Sequence, residues 1–272
     1  SVVSQTKADN MFQITPSASA AKVIANDNCF QVCFTDPNQG TASADYIASK
    51  GLATKVAVIY NSSDAYSSGI YDNFKAEAAA KGLDLVASEA FTGDSKQDFS
   101  SQLSKIKASG AELIFLPIYY QEASLILSQA KNAGITAKFF GCDGLDGLLN
   151  IENFDKSLAE NVMLLTPFAA NATDETTKKF VTAYNAKYDP STLNQFAADA
   201  YDAVYVVKAA AEKAGVTGDM SVSDICNALK GAMTEITVDG VTGSGMTWKA
   251  TGEVNKEPKA VKIENGEYQP MD

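Results

Sequence analysis

From residue 55 onward, short apolar runs alternate with stretches whose apolar residues recur every three to four positions. KVAVIY at 55–60 reads as an apolar strand. Residues 67–81 then read as an amphipathic helix with Ile70, Phe74 and Ala78 on one face. The alternation continues with a strand over 83–91, a helix over 98–109 carrying Phe99, Leu103 and Ile106, and a buried strand over 113–116. A helix over 123–133 ending at Gly134 follows, then strands over 138–140 and 161–165. Strands that alternate with helices predict a parallel sheet covered on both faces.

The flanking segments read differently. Residues 1–10 resemble the end of a helix. MFQIT at 11–15 is a short strand stopped by Pro16, which cannot donate to a ladder and turns the chain into Ser17-Ala18-Ser19. Phe30 to Phe34 form a second strand. Asp36 and Pro37 then predict a helix start, with Gly51 as its left-handed end. After Pro167 the pattern turns helical, over 174–188, 195–214 and 222–232. The glycine-rich turn GVTGSG at 240–245 follows. Strands at 259–264 and 267–269 flank Asn265-Gly266, a strong hairpin signal. The changes of character place domain boundaries near 52–54 and 166.

At 272 residues the chain is long enough for two domains, and 46% hydrophobic content gives it material for real cores. A net charge of −11 without any basic cluster argues against nucleic acid as a partner. No apolar run reaches the length of a membrane span. Histidine is absent, which removes imidazole general-base catalysis and most zinc sites. Cys29 and Cys33 would lie about 13 Å apart in an extended run. No cysteine pair has C-x-x-C spacing, so all four read as free, buried thiols.

Three loops follow parallel strands and so fall on one rim of one domain. NSSDAY at 61–66 brings Tyr66, PIYY at 117–120 brings Tyr119, and CDG at 142–144 brings Asp143. A carboxylate beside aromatic faces suits an ammonium group. Each residue taken alone is an ordinary loop or turn residue; their joint placement carries the functional reading. Free backbone amides and the short hydroxyls of Ser17 and Ser19 at a strand end suit a small carboxylate. GVTGSG lacks the lysine of a phosphate loop, Asp143 with Asp146 is weak as a metal pair and reads as a solvated loop, and Tyr201, Asp202 and Tyr205 read as helix packing.

The motifs ITPSASA (14–20), FTDPNQG (34–40), KVAVIYNSSDAYSSG (55–69), KAEAAAKG (75–82), the block over 93–120, FFGCDGLDG (139–147) and AYDAVYVVKAAAEKAG (200–215) occur in an order that resembles branched-chain amino-acid substrate-binding proteins of ABC importers. The resemblance implies a two-lobe α/β type I periplasmic-binding-protein fold with three hinge crossovers. Lobe one would hold 1–53 plus 167–255, and lobe two 54–166 plus 256–272. It also implies that Ser17, Ala18 and Ser19 take the ligand carboxylate, that Asp143 takes the ammonium, and that Tyr66 and Tyr119 close over the ligand in the inter-lobe cleft. The expected partners are an amino acid and a membrane permease. No cofactor and no enzyme activity are expected, and the location is extracytoplasmic, in the periplasm or as a cell-surface lipoprotein. Family members open with β-α-β units that this chain lacks, so a truncated chain is expected, with an incomplete first lobe whose open sheet edge would invite self-association. The alternative is a ligand-sensing domain of a receptor or signalling protein with the same fold.

Overall fold

The computed structural model describes residues 2–271. In chain order the elements are α1 Val2–Ala8, β1 Gln13–Thr15, β2 Cys29–Gln31, α2 Asp36–Ser49, β3 Lys55–Asn61, α3 Ala65–Ala80, β4 Asp84–Phe91, α4 Ser100–Ser109 and β5 Leu113–Leu116. They continue with α5 Tyr120–Asn132, β6 Lys138–Gly141, β7 Met163–Thr166, α6 Glu175–Asn185, α7 Gln195–Ala214, α8 Val222–Met233, β8 Lys259–Glu264 and β9 Glu267–Pro270. The Asn-Gly hairpin forms as read: Asn265 and Gly266 take φ of 54° and 76°, the left-handed pair that a two-residue turn requires. The helix predicted from 123 begins a turn earlier, at Tyr120. The strand predicted over 30–34 is confined to 29–31: Val32 N–H still bonds to Thr15 O, and the chain bends at Val32 and Cys33.

The chain divides into two units, residues 1–35, 173–187 and 193–257, and residues 36–172, 188–192 and 258–272. In the second unit seven strands form one sheet in the order β4-β3-β5-β6-β7-β8-β9. The first five are parallel and β8 and β9 join antiparallel. Alternation along the strands sorts side chains to two faces. Val56, Val58, Leu113 and Phe115 enter one core with Ile47, Ile70 and Phe74 of α2 and α3. Ala57, Ile59, Ile114 and Leu116 enter another with Leu103, Ile106, Ile126 and Leu127 of α4 and α5. Helices cover both faces, which is why these strands read as unbroken apolar runs.

The units differ from the expected lobes at 36–53, 167–172 and 188–192, which lie in the second unit, and at 256–257, which lie in the first; the largest difference is the first. Residues 36–53, assigned from the sequence to the first lobe, lie in the second unit. The physical reason is the crossing of α2 on α3. Gly40 has no side chain, and a Cβ there would strike Ile70 O and come within 2.8 Å of Phe74 N. The two backbones therefore touch, and Ala44 and Ile47 are sealed against α3. Close helix contact of this kind is invisible to a periodicity that only marks which face is apolar.

In the first unit β1 and β2 pair in parallel, Gln13 opposite Cys29. The far side of β2 meets Gly252 through the Gln31 N–H, and Trp248 Nε1 donates to Gln31 O at 2.8 Å, so this edge is covered there. Phe30 and Trp248 share a core with Val206, Leu229 and Met233 of α7 and α8. The same unit also buries a polar network. Lys256 Nζ stands 3.1 Å from Asp199 Oδ1 and 2.5 Å from Thr242 Oγ1, with both charged side chains almost wholly buried. Burial pushes the Asp199 carboxyl up, and the lysine opposes that shift. All four cysteines are buried, and none is in a disulfide.

Gly40→Ala is expected to lower unfolding free energy by about 2 kcal/mol through overpacking of the α2–α3 crossing. Gly51→Ala, at φ 60° with open space around it, should cost about 1 kcal/mol from backbone strain alone. Urea denaturation of the two variants measures the difference, and equal costs would mean that the helix crossing is not tight.

Candidate functional site

Parallel strands bring all their carboxyl ends to one edge of the sheet. From β3 the chain passes outward to β4, then returns across β3 to β5 on its other side, so the winding reverses between β3 and β5. A reversal of this kind opens a crevice beyond the strand ends, where ligands of open α/β sheets bind. Tyr66 follows β3, Tyr119 follows β5 and Asp143 follows β6, each within five residues of its strand.

Asp64 starts α3 by accepting the Ser67 N–H at 3.0 Å, which sets Tyr66 in the helix's first turn. Tyr119 occupies the cap position of α5 in extended conformation, and Asp143 opens a short 3-10 turn after Cys142. The three side chains meet. Tyr66 Oη donates to Asp143 Oδ1 at 2.6 Å and accepts the Gly144 N–H at 2.9 Å. A Cβ on Gly144 would lie 2.6 Å from Tyr66 Oη, so only glycine leaves room for the phenol. Tyr119 stacks on Tyr66 with ring centroids 4.7 Å apart.

Their exposures separate their roles. Tyr66 and Asp143 are buried, at 7% and 5%, whereas Tyr119 is 40% exposed. Tyr66 is thus not an open aromatic wall: it lies behind Tyr119 and orients the acid. Burial, reinforced by Asp143, pushes the Tyr66 phenol far above its ordinary range, so it remains a proton donor. Burial also raises the Tyr119 phenol, and the carboxylates of Asp64, Asp143, Asp36 and Glu122 add to the shift. A site ringed by these acids carries a negative potential and favours a cationic group.

Gln39 also lies here, although no sequence pattern marked it. It is 2% exposed on α2, and its Oε1 accepts the Asp143 N–H at 3.3 Å. Ser43, one turn later on the same helix, has its Oγ 3.5 Å from Cys142 Sγ. The only signal available was the i, i+4 spacing of two polar residues on a helix face that also carries Ala44 and Ile47. Asp146, read as solvated beside Asp143, is buried instead. Among the described residues no group of three or more His, Cys, Asp or Glu side chains could hold a metal ion.

Ser17, Ala18 and Ser19 belong to the first unit. They follow β1 as expected, with the Ala18 N–H donating to Thr15 Oγ1 at 2.8 Å, Ser19 buried and Ala18 exposed. In the same unit the GVTGSG turn is closed to phosphate by its own chain. The Val241 and Thr242 amides both donate to the Asp202 carboxylate, at 2.8 Å each, and Thr242 Oγ1 donates to it at 2.6 Å. Asp202 therefore has a structural task, and Tyr201 packs on Phe180 and Tyr205.

The periplasmic binding protein family profile matches residues 1–267. A Leu/Ile/Val-binding protein homologue of Brucella melitensis is 33% identical over 214 residues, which cover 78% of this chain and 56% of the relative. The leucine-, isoleucine-, valine-, threonine- and alanine-binding protein of Pseudomonas aeruginosa is 29% identical over 81% of this chain and 58% of its own length. The chain thus spans a little over half the length of these curated relatives. Among solved structures, a leucine-binding protein of Thermotoga maritima superposes with a TM-score of 0.86 at 25% identity, covering 100% of this chain and 75% of that one. The branched-chain amino acid transporter substrate-binding protein LivJ of Streptococcus pneumoniae, in complex with isoleucine, does so with a TM-score of 0.83 at 28% identity, over 98% and 73%.

Asp202→Ala is expected to destabilise the first unit by about 3 kcal/mol, since two amides and a hydroxyl lose a buried charged acceptor. Thermal unfolding monitored at Trp248, whose indole reports on that core, checks it; an unchanged transition would return GVTGSG to the pool of ligand loops.

Proposed function

This chain belongs to the periplasmic binding protein family, and from that premise we propose that it forms part of an extracytoplasmic solute-binding protein of an ABC importer, with a small aliphatic amino acid as its solute. The observation that carries the proposal is the Tyr66–Asp143 pair at the sheet's winding reversal. A buried acid oriented by a phenol presents a negative charge that suits a single cation. Tyr119 lies beside it with an exposed ring face, the surface on which an ammonium and an aliphatic chain both rest favourably. The relatives named above, which carry leucine, isoleucine and valine in their names, support the choice of solute. The same reading assigns the solute's carboxylate to Ser17, Ala18 and Ser19.

The protein's work is then to hold and deliver, not to transform. Binding uses charge, hydrogen bonding and apolar contact, and the solute leaves unchanged. A micromolar complex requires about 8 kcal/mol. An ion pair and a modest apolar side chain supply that when both are removed from water. A membrane permease is the proposed recipient, with the protein in the periplasm or at the cell surface as a lipoprotein. Among the described residues no helix is long and apolar enough to cross a membrane.

Asp143→Asn tests the assignment. The amide oxygen still accepts from Tyr66, so the fold is preserved while the charge is lost. Leucine affinity is expected to fall by about 2–4 kcal/mol, the cost of leaving a desolvated ammonium without its counter-charge. Isothermal titration calorimetry measures it, and equal affinity in the two proteins would sink the role given to Asp143.

A further inference from the structure

We propose that Lys256 is a tie that fastens the first unit's ends of two of its connections to the second unit at one buried point. The proposal holds whatever solute the protein carries.

A buried ion pair is not by itself a gain in stability, since apolar side chains of similar volume often serve as well or better. The Lys256–Asp199 pair therefore needs another reason, and its place in the chain supplies one. The first unit ends at Thr35 on one pass and at Glu257 on another, and it resumes at Leu193 between them. Phe34, Lys256 and the start of α7 are thus the parts of this unit that stand next to its boundaries. The Lys256 ammonium joins all three. Its Nζ lies 3.1 Å from Asp199 Oδ1, on the second turn of α7, and 5.9 Å from the centroid of the Phe34 ring, within the range of a cation–π contact. It also donates to Thr242 Oγ1 at 2.5 Å, and that hydroxyl donates in turn to Asp202 Oδ2 at 2.6 Å.

Depth makes the tie firm. The Lys256 and Asp199 side chains are 1% and 2% exposed, and Phe34 is buried. An ammonium held this far from water has only these partners to replace its hydration. Withdrawal of one partner weakens the hold of the others, so the segments that supply them order together. The two connections accordingly leave the first unit from one fixed place. Bending of either is confined to the chain beyond the tie, and does not run back into β2 or into the stretch around Trp248.

Loss of the lysine alone would strand the Asp199 charge, and breaking one side of a buried pair is strongly destabilising. The test therefore uses the isotope-labelled full chain with Lys256→Met and Asp199→Leu together, which removes both charges of the pair. Amide hydrogen exchange is read at three positions. Val32, whose N–H bonds to Thr15 O, reports on the segment of Phe34; Asn255, whose N–H bonds to Thr247 O, reports on the segment of Lys256. Leu229, inside α8, reports on the core of the unit. In the double variant Val32 and Asn255 are both expected to exchange about tenfold faster, with Leu229 unchanged. Phe34→Leu, which removes the ring and keeps the ion pair, is expected to speed Val32 while Asn255 stays slow. Faster exchange at Asn255 alone in the double variant would make Lys256 an anchor of its own segment only, and overturns the proposal. Faster exchange at Leu229 as well, up to loss of the fold, would make the pair a support of the whole unit and overturns it too. Wild-type exchange at Val32 in either variant has the same effect.

Discussion

A hydrogen bond of 2.6 Å between the Tyr66 phenol and the Asp143 carboxylate organises the second unit's working edge. A buried carboxylate is tolerated only where donors replace the water it has lost. Tyr66 is such a donor, and its own oxygen is in turn filled by the Gly144 amide. The phenol can therefore point in only one way. Removing the hydroxyl would leave an acid and an amide unsatisfied together, so Tyr66, Asp143 and Gly144 stand or fall as a set.

That set exists because the sheet is parallel. Parallel pairing places the ends of β3, β5 and β6 side by side, and the reversal of winding between β3 and β5 keeps helices from closing over them. The helices contribute as positioning devices as well as cover. α3 carries Tyr66, α5 begins directly behind Tyr119, and α2 reaches the Asp143 turn because Gly40 lets it lie against α3 without an intervening side chain. The acids at Asp36, Asp64 and Glu122 extend the negative character of the edge beyond Asp143 itself.

The first unit meets the same problem of buried charge by a different route. Its acids are answered from within the chain: Asp199 by Lys256, Asp202 by the amides and hydroxyl of the 240–245 turn. A site whose donors are already occupied has nothing left for a solute. Asp202 is engaged by the backbone of its own turn, whereas Asp143 is oriented by the phenol of Tyr66 from another element.

Much of the architecture was legible beforehand. The 3.6-residue spacing of Ile70, Phe74 and Ala78 marked α3, the run at 195–214 marked α7 to the residue, and Asn265-Gly266 marked the terminal hairpin, because period and turn chemistry are local properties. Tyr66, Tyr119 and Asp143 were placed together by a simple rule, that residues following parallel strands share a rim. What the chain alone left open was everything that depends on which backbone lies against which. It did not reveal that α2 joins the second unit, since a glycine's missing side chain matters only once another helix is beside it. It did not separate buried Tyr66 from exposed Tyr119, since both follow strands in the same way. Nor did it single out Gln39, whose partner is 104 positions away. Sequence determined the elements and their order through local periodicity; tertiary packing alone decided which polar atoms meet, because a hydrogen bond depends on fractions of an ångström between segments that no local pattern relates.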